Sequence, residues 1–318
     1  MRSRVPRGRR TLGRGKGRRR SYAPSRRRYT VRKRTYRKKP AMSNKRILNI
    51  TSRKKRNGML SVTNTTATGA LAAIYQGPLT VAGGSGGGTY GYVHFRPTAM
   101  DLNDINTVPN PIDYPSVRTA STCYMRGLAE NLRIETSSGN PWLHRRICFT
   151  SRDQRFNNEN TNDQSGTDRQ TISTGALETS NGWQRLAGNM IIDTLSNTIN
   201  TFNEILFKGA QGIDWDDFIT APVDTSRVDL KFDKTWVYKS GNQAGIMKEC
   251  KLWHPMNKNI VYDDDERGAA ESSVTYSVTD KRGMGDYHII DLFSQGSSGV
   301  SGDLIKVRYT STLYWHEK

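Results

Sequence analysis

From Arg227 to Asp233 the chain alternates strictly. Val228, Leu230 and Phe232 take one side, and Arg227, Asp229, Lys231 and Asp233 the other. The same pattern returns over residues 304–315, where Ile305, Val307, Tyr309, Leu313 and Trp315 share one face and Lys306, Arg308, Thr310 and Thr312 the opposite one. A period of two is that of an antiparallel strand with one face buried. Further strands are predicted over 89–95, 123–136, 146–152, 183–192, 246–253 and 287–293. Asn-, Asp-, Ser- and Gly-rich loops such as 153–170 and 294–303 separate them. One helix fits, over 197–208, with Ile199, Phe202 and Leu206 on one face, Ser196 as its cap and Gly209 at its end. Strands of similar length, long loops and few helices predict an all-β protein, an antiparallel sandwich or jelly roll of about eight strands.

The first 56 residues follow no such pattern. They hold 25 Lys or Arg and no acidic side chain; the first acid in the chain is Asp101. Residues 1–100 carry a net +26 and residues 101–318 a net −6, within a total of +20. Mutual repulsion, with almost nothing apolar to bury, predicts a disordered basic arm over 1–56 until a polyanion neutralises it. Residues 57–91, low in charge and rich in Thr, Ala and Gly, read as a flexible hinge, and 92–318 as the folded domain. A cationic arm on a slightly acidic body assigns nucleic-acid binding to the arm.

Its candidate phosphate contacts are Arg2, Arg4, Arg7, Arg9, Arg10, Arg14, Lys16, Arg18, Arg19, Arg20, Arg26, Arg27, Arg28, Arg32, Lys33, Arg34, Arg37, Lys38 and Lys39. Arg predominates among them, and its guanidinium forks onto phosphate oxygens and stacks on bases. Tyr22, Tyr29 and Tyr36 are interleaved where they can stack on unpaired bases. Lys45, Arg46, Arg53, Lys54, Lys55 and Arg56 form a candidate nuclear-import signal, tightest over residues 53–56. No zinc-finger or zipper pattern follows, so binding without sequence specificity is expected.

The chain offers little for catalysis. His94, His144, His254, His288 and His316 are far apart and belong to no HExxH or GxSxG motif, so they read as packed or surface residues. Cys123, Cys148 and Cys250 form no CxxC pair and read as small buried residues. Gly86, Gly88 and Gly91 satisfy GxGxxG formally, but a strand follows where that motif requires a helix. Asp263, Asp264, Asp265 and Glu266 lack the alternate spacing of a calcium loop and read as a solvated turn. No enzyme activity, cofactor, metal or membrane insertion is expected.

Several ordered stretches point to one family. They are KRILNITSRKKR at 45–56, TCYMRGLAENLRIET at 122–136, PWLHRRICF at 141–149, LFKGAQGIDW at 206–215, FDKTWVYKSGN at 232–242 and LWHPMNKNIVYDDDERG at 252–268. Together they resemble the capsid proteins of genomoviruses (gemycircularviruses) and, more distantly, geminivirus coat proteins. The resemblance implies a jelly-roll subunit of a small icosahedral virion, with the Arg-rich arm packaging circular single-stranded DNA. Its partners would be that DNA, copies of itself and the host nuclear import machinery, in the virion and the host cell nucleus. About sixty copies, the simplest (T=1) shell, would bring on the order of 1,500 arm charges, matching a genome of roughly one to three thousand nucleotides. Lys306 and Arg308 are candidates for lining its interior. The alternative is a non-capsid basic nucleic-acid chaperone with a β-sandwich domain.

Overall fold

The computed structural model describes residues 42–84, 90–163 and 167–318. The chain divides into two units, Met1–Asn44 and Lys45–Lys318. The described elements begin with helix α1 (Asn44–Thr51) and strands β1 (Arg53–Thr65), β2 (Leu71–Gln76), β3 (Leu79–Ala82) and β4 (Tyr90–Phe95). The long strands β5 (Thr122–Thr136) and β6 (Trp142–Ser151) follow. A looped segment then holds a 3-10 turn at Gln154–Asn157, helix α2 (Thr167–Thr174), strands β7 (Leu177–Thr179) and β8 (Gly182–Leu186), and helix α3 (Ser196–Leu206). The chain closes with β9 (Asp229–Tyr238), β10 (Met247–Val261), a hairpin of β11 (Asp265–Arg267) and β12 (Ala270–Ser272), β13 (Asp286–Gln295) and β14 (Leu304–Glu317).

Among the described residues the strands form two large, mostly antiparallel sheets, beside the two-stranded β11–β12 hairpin. The first runs β10-β5-β14-β1-β8-β7, with β2 added on β1 and β3 on β14; the second runs β4-β13-β6-β9. The eight principal strands pair in a nested series: β1 with β14, β4 with β13, β5 with β10, and β6 with β9. The first therefore meets the last, the second the seventh, the third the sixth and the fourth the fifth. Met125, Leu128, Leu313 and Trp315 of the first sheet share a core with Ile147 and Cys148 of the second.

The two sheets differ in what covers them. Every residue of β13 is buried. Phe156 from the 3-10 turn and Phe202 from α3 pack on the second sheet, with Phe202 5.1 Å from His94 and Phe156 5.1 Å from His288. In the first sheet β14 alternates between buried and more exposed positions, and β5 does so on either side of Arg126-Gly127-Leu128. Ile305, Val307, Tyr309, Leu313 and Trp315 are all buried, as their periodicity predicts. One face of this sheet is left to solvent.

Several expectations need correction. The basic arm and hinge were expected to extend to residues 56 and 91, yet α1 begins at Asn44 and β1 at Arg53, and 57–91 contains most of β1 and all of β2 and β3. The charge run at 53–56 conceals an alternation in which Lys55, Asn57 and Met59 turn inward. Thr63 and Thr65, which look like linker, are buried and bond each other's hydroxyls at 2.9 Å; Thr is a good strand former. The predicted helix is α3, but Ser196 does not cap it. Asp163 accepts from the Asn197 and Thr198 amides at 3.1 and 2.8 Å and supplies the anion favoured at a helix start. The strand expected over 183–192 ends at Leu186, and beyond it the Asn189 side chain accepts from the Tyr92 amide. The strand expected over 246–253 runs on through Pro255 to Val261, because β10 is an edge strand where proline is tolerated.

Candidate nucleic-acid interface

The open face of the first sheet is basic. Lys54 and Arg56 of β1, Arg126 and Arg133 of β5, Lys251 of β10, and Lys306 and Arg308 of β14 lie at its outward positions, against Glu135 and Glu249. Register sets Arg133 directly beside Arg308. Such like-charge neighbours repel, and two carboxylates relieve them locally: Glu135, 2.8 Å from Arg133 Nε, and Glu249, opposite Arg133 on β10. Next to them Lys306 lies opposite Glu135. Seven cations against two carboxylates make a surface suited to phosphates.

At one end of this face a bulge changes the local geometry. Cys123 and Met125 point inward, but the next inward apolar residue is Leu128, so the alternation slips one place at Arg126-Gly127. The ladders slip there too, between Pro255 and Lys258 of β10 and between Tyr314 and Trp315 of β14. Bulges of this kind re-aim side chains. Arg126 becomes exposed, and its Nη1 donates to Asn257 Oδ1. Gly127 has φ +149°, and a Cβ on it would stand 2.5 Å from His254 O and 2.8 Å from Trp253 Cζ2. Glycine here lets the Trp253 ring lie against the strand.

Trp253 is 50% exposed, whereas Trp142 and Trp315 are completely buried. Its ring centroid lies 6.0 Å from that of Tyr314 at 55°, and Tyr124 lies 6.0 Å from His316. A cavity of about 450 Å³ opens beside them, lined by Trp253, Tyr314, His316, Arg126, Lys54 and Ala129 among others. Burial, followed by the charges of Arg126 and Lys54, holds His316 below its ordinary pKa.

The predicted site residues divide sharply. Arg2 to Lys39, with Tyr22, Tyr29 and Tyr36, lie outside the described residues. Of the candidate import residues, Lys45 and Arg46 are on α1, and Arg53, Lys54 and Arg56 are exposed on β1. Lys55 is a correction. It is buried 3.0 Å from Glu317 Oε2 and donates to Val117 O at 2.9 Å and Thr119 Oγ1 at 2.8 Å. With its three donors engaged inside the fold, it is closed to a receptor or a phosphate. Lys306 and Arg308 fall on the basic face. Arg126, Arg133, Lys251, Trp253 and Tyr314 were missed, although the one-in-two spacing of Asn131 and Arg133 between Leu128, Leu132 and Ile134 carried part of the signal.

The acidic run is also more than a solvated turn. Asp264 accepts from Arg118 Nη1 and Nη2 at 2.6 and 3.0 Å with both side chains buried, and the Arg118 guanidinium lies 3.8 Å from the centre of the Tyr262 ring. Asp263, Asp265 and Glu266 are exposed. His94, His144, His254 and His288 are buried. Gly91 lies within β4, while Gly86 and Gly88 lie outside the described residues. Among the described residues no group of three or more His, Cys, Asp or Glu side chains is arranged to hold a metal. No protein-family model and no curated protein matches the chain.

Proposed function

We propose that this chain is a capsid protein: a jelly-roll subunit that assembles into a closed shell and packages single-stranded DNA without regard to sequence. The observation that carries the reading is the nested pairing of the eight principal strands. An antiparallel ribbon folded over on itself produces this series, and the jelly rolls of viral shells have eight strands in two such sheets. The basic arm and the basic sheet face supply the cations that packaging requires. Exposed apolar side chains on α1 (Ile47, Leu48, Ile50) and on the loop before β5 (Ile105, Val108, Ile112) suit burial against neighbouring subunits. Residues 53, 54 and 56, with the basic residues before them, remain the proposed nuclear-import signal. The fitting test is microscopy of the expressed protein with its nucleic acid measured, full-length beside a chain lacking residues 1–44. Closed particles that lose nucleic acid without the arm support the reading; soluble monomers that bind nucleic acid but never close favour the chaperone alternative.

A further inference from the structure

We propose that Trp253 and Tyr314 hold one unpaired nucleobase of a single strand, while Arg126 and Lys54 take the phosphates beside it. The inference rests on the packaging reading above and assigns part of that work to the folded unit. Three observations converge on it. The first is exposure: half of the Trp253 surface is open to solvent, with the Tyr314 ring beside it, so a further flat ring has an aromatic face to stack on. The second is construction. The bulge at Gly127 and the absent Cβ there set the Trp253 ring in place, and the same bulge brings Arg126 beside it. The third is size and charge. The cavity of about 450 Å³ is in the range of small-ligand sites, with aromatic walls and cationic neighbours.

The occupant follows from complementarity. The basic arm of this chain and the same face of a second copy carry the wrong charge to fill a cationic pocket. A nucleic-acid strand brings both a flat π-face for the rings and phosphates for the cations. A duplex keeps its bases stacked inside, so the pocket favours single strands and tolerates any base.

The test uses the full-length protein and a short oligothymidylate carrying 5-bromouracil, irradiated at salt high enough to weaken the arm's contacts. Mass spectrometry is expected to find crosslinks on Trp253 or Tyr314. Oligothymidylate is also expected to quench the tryptophan emission, a quench that Trp253→Leu removes while its melting curve stays unchanged. Trp253→Leu should weaken binding roughly five- to a hundredfold and Trp253→Phe much less. The matched duplex should give no such crosslink, and oligouridylate in place of oligothymidylate decides whether the pocket prefers DNA to RNA. Crosslinks confined to Tyr22, Tyr29 and Tyr36, or quenching of Trp253 on assembly without nucleic acid, overturn the proposal. Filled particles lacking the Trp253 crosslink would sink the pocket alone. A Trp253 crosslink on a chain that never forms particles would sink the capsid reading alone.

Discussion

Arg146 grips Asp291 with both sides of its guanidinium. Nε donates to Oδ1 at 2.7 Å and Nη2 to Oδ2 at 2.8 Å, between neighbouring strands β6 and β13, with neither side chain exposed. Arg146 Nη1 also donates across to Glu130 of β5, which accepts in turn from Arg185 Nε at 2.9 Å and Ser311 Oγ at 2.7 Å. Arg185 closes the circuit to Asp291 at 3.2 Å and lies 4.1 Å from the ring centres of both Phe95 and Tyr309. Two guanidiniums and two carboxylates thus join both sheets at the centre of the sandwich. Buried charges are tolerated only when paired, so any strand register that separates these four is penalised.

Removing one carboxylate should therefore be severe. Asp291→Asn leaves two buried guanidiniums sharing Glu130, and a loss of about 3–5 kcal/mol is expected in urea denaturation. That is a large fraction of a domain's total stability. A loss below about 1 kcal/mol would show that the network relaxes or admits water.

Acid should unfold the protein from within. Burial, with Arg96 and Arg185 adding to it, holds His94 at about 3, and burial followed by Arg146 holds His254 at about 4, against an ordinary 6.5. Both are neutral in the fold and gain protons on unfolding. Their contribution is complete above pH 6.5 and is lost as pH falls through 4 and 3. Burial raises Glu130, but Arg146 and Arg185 outweigh it and hold the carboxyl at about 2 against 4.5, so its contribution fades below pH 4.5. Thermal melts should fall progressively between pH 6.5 and pH 3. His254→Gln should flatten the upper part of that decline, and an unchanged slope would argue against this origin.

Lys54 and Lys55 are neighbours that face opposite sides of β1, one exposed and one buried. Lys55→Met strands Glu317 and should cost about 3 kcal/mol without altering how nucleic-acid affinity depends on salt. Lys54→Met should leave the melting temperature unchanged and reduce the slope of log affinity against log salt by about 1. Equal effects on both measurements from both substitutions would contradict the division.

Gly127→Ala tests how the bulge supports its tryptophan. The added Cβ meets the His254 carbonyl at 2.5 Å on a backbone with φ +149°, so a destabilisation of about 1–3 kcal/mol is expected. Displacement of Trp253 should shift its fluorescence. A variant with unchanged emission and stability would mean the strand moves aside freely.

The strands were legible where one face is wet. The alternation of Ile305, Val307 and Tyr309 against Lys306 and Arg308 marks β14 directly. β13 lost that signal because both its faces are covered. Lys55 misled for a different reason: charge composition cannot distinguish a cation facing solvent from one facing Glu317, 262 residues further along the chain. The basic face was half visible in Lys306 and Arg308. Its remainder depends on strands 10, 5, 14 and 1 lying side by side, a long-range pairing that no local pattern contains. The Trp253 pocket was hidden further by the bulge, which takes Arg126 out of simple alternation.

The central claim is assembly around single-stranded DNA, and particle formation tests it most directly. Full-length protein, purified free of nucleic acid and mixed with circular single-stranded DNA, should give uniform closed particles by electron microscopy that protect the DNA from nuclease. Monomers or irregular aggregates across a range of salt, with the DNA left digestible, would contradict it.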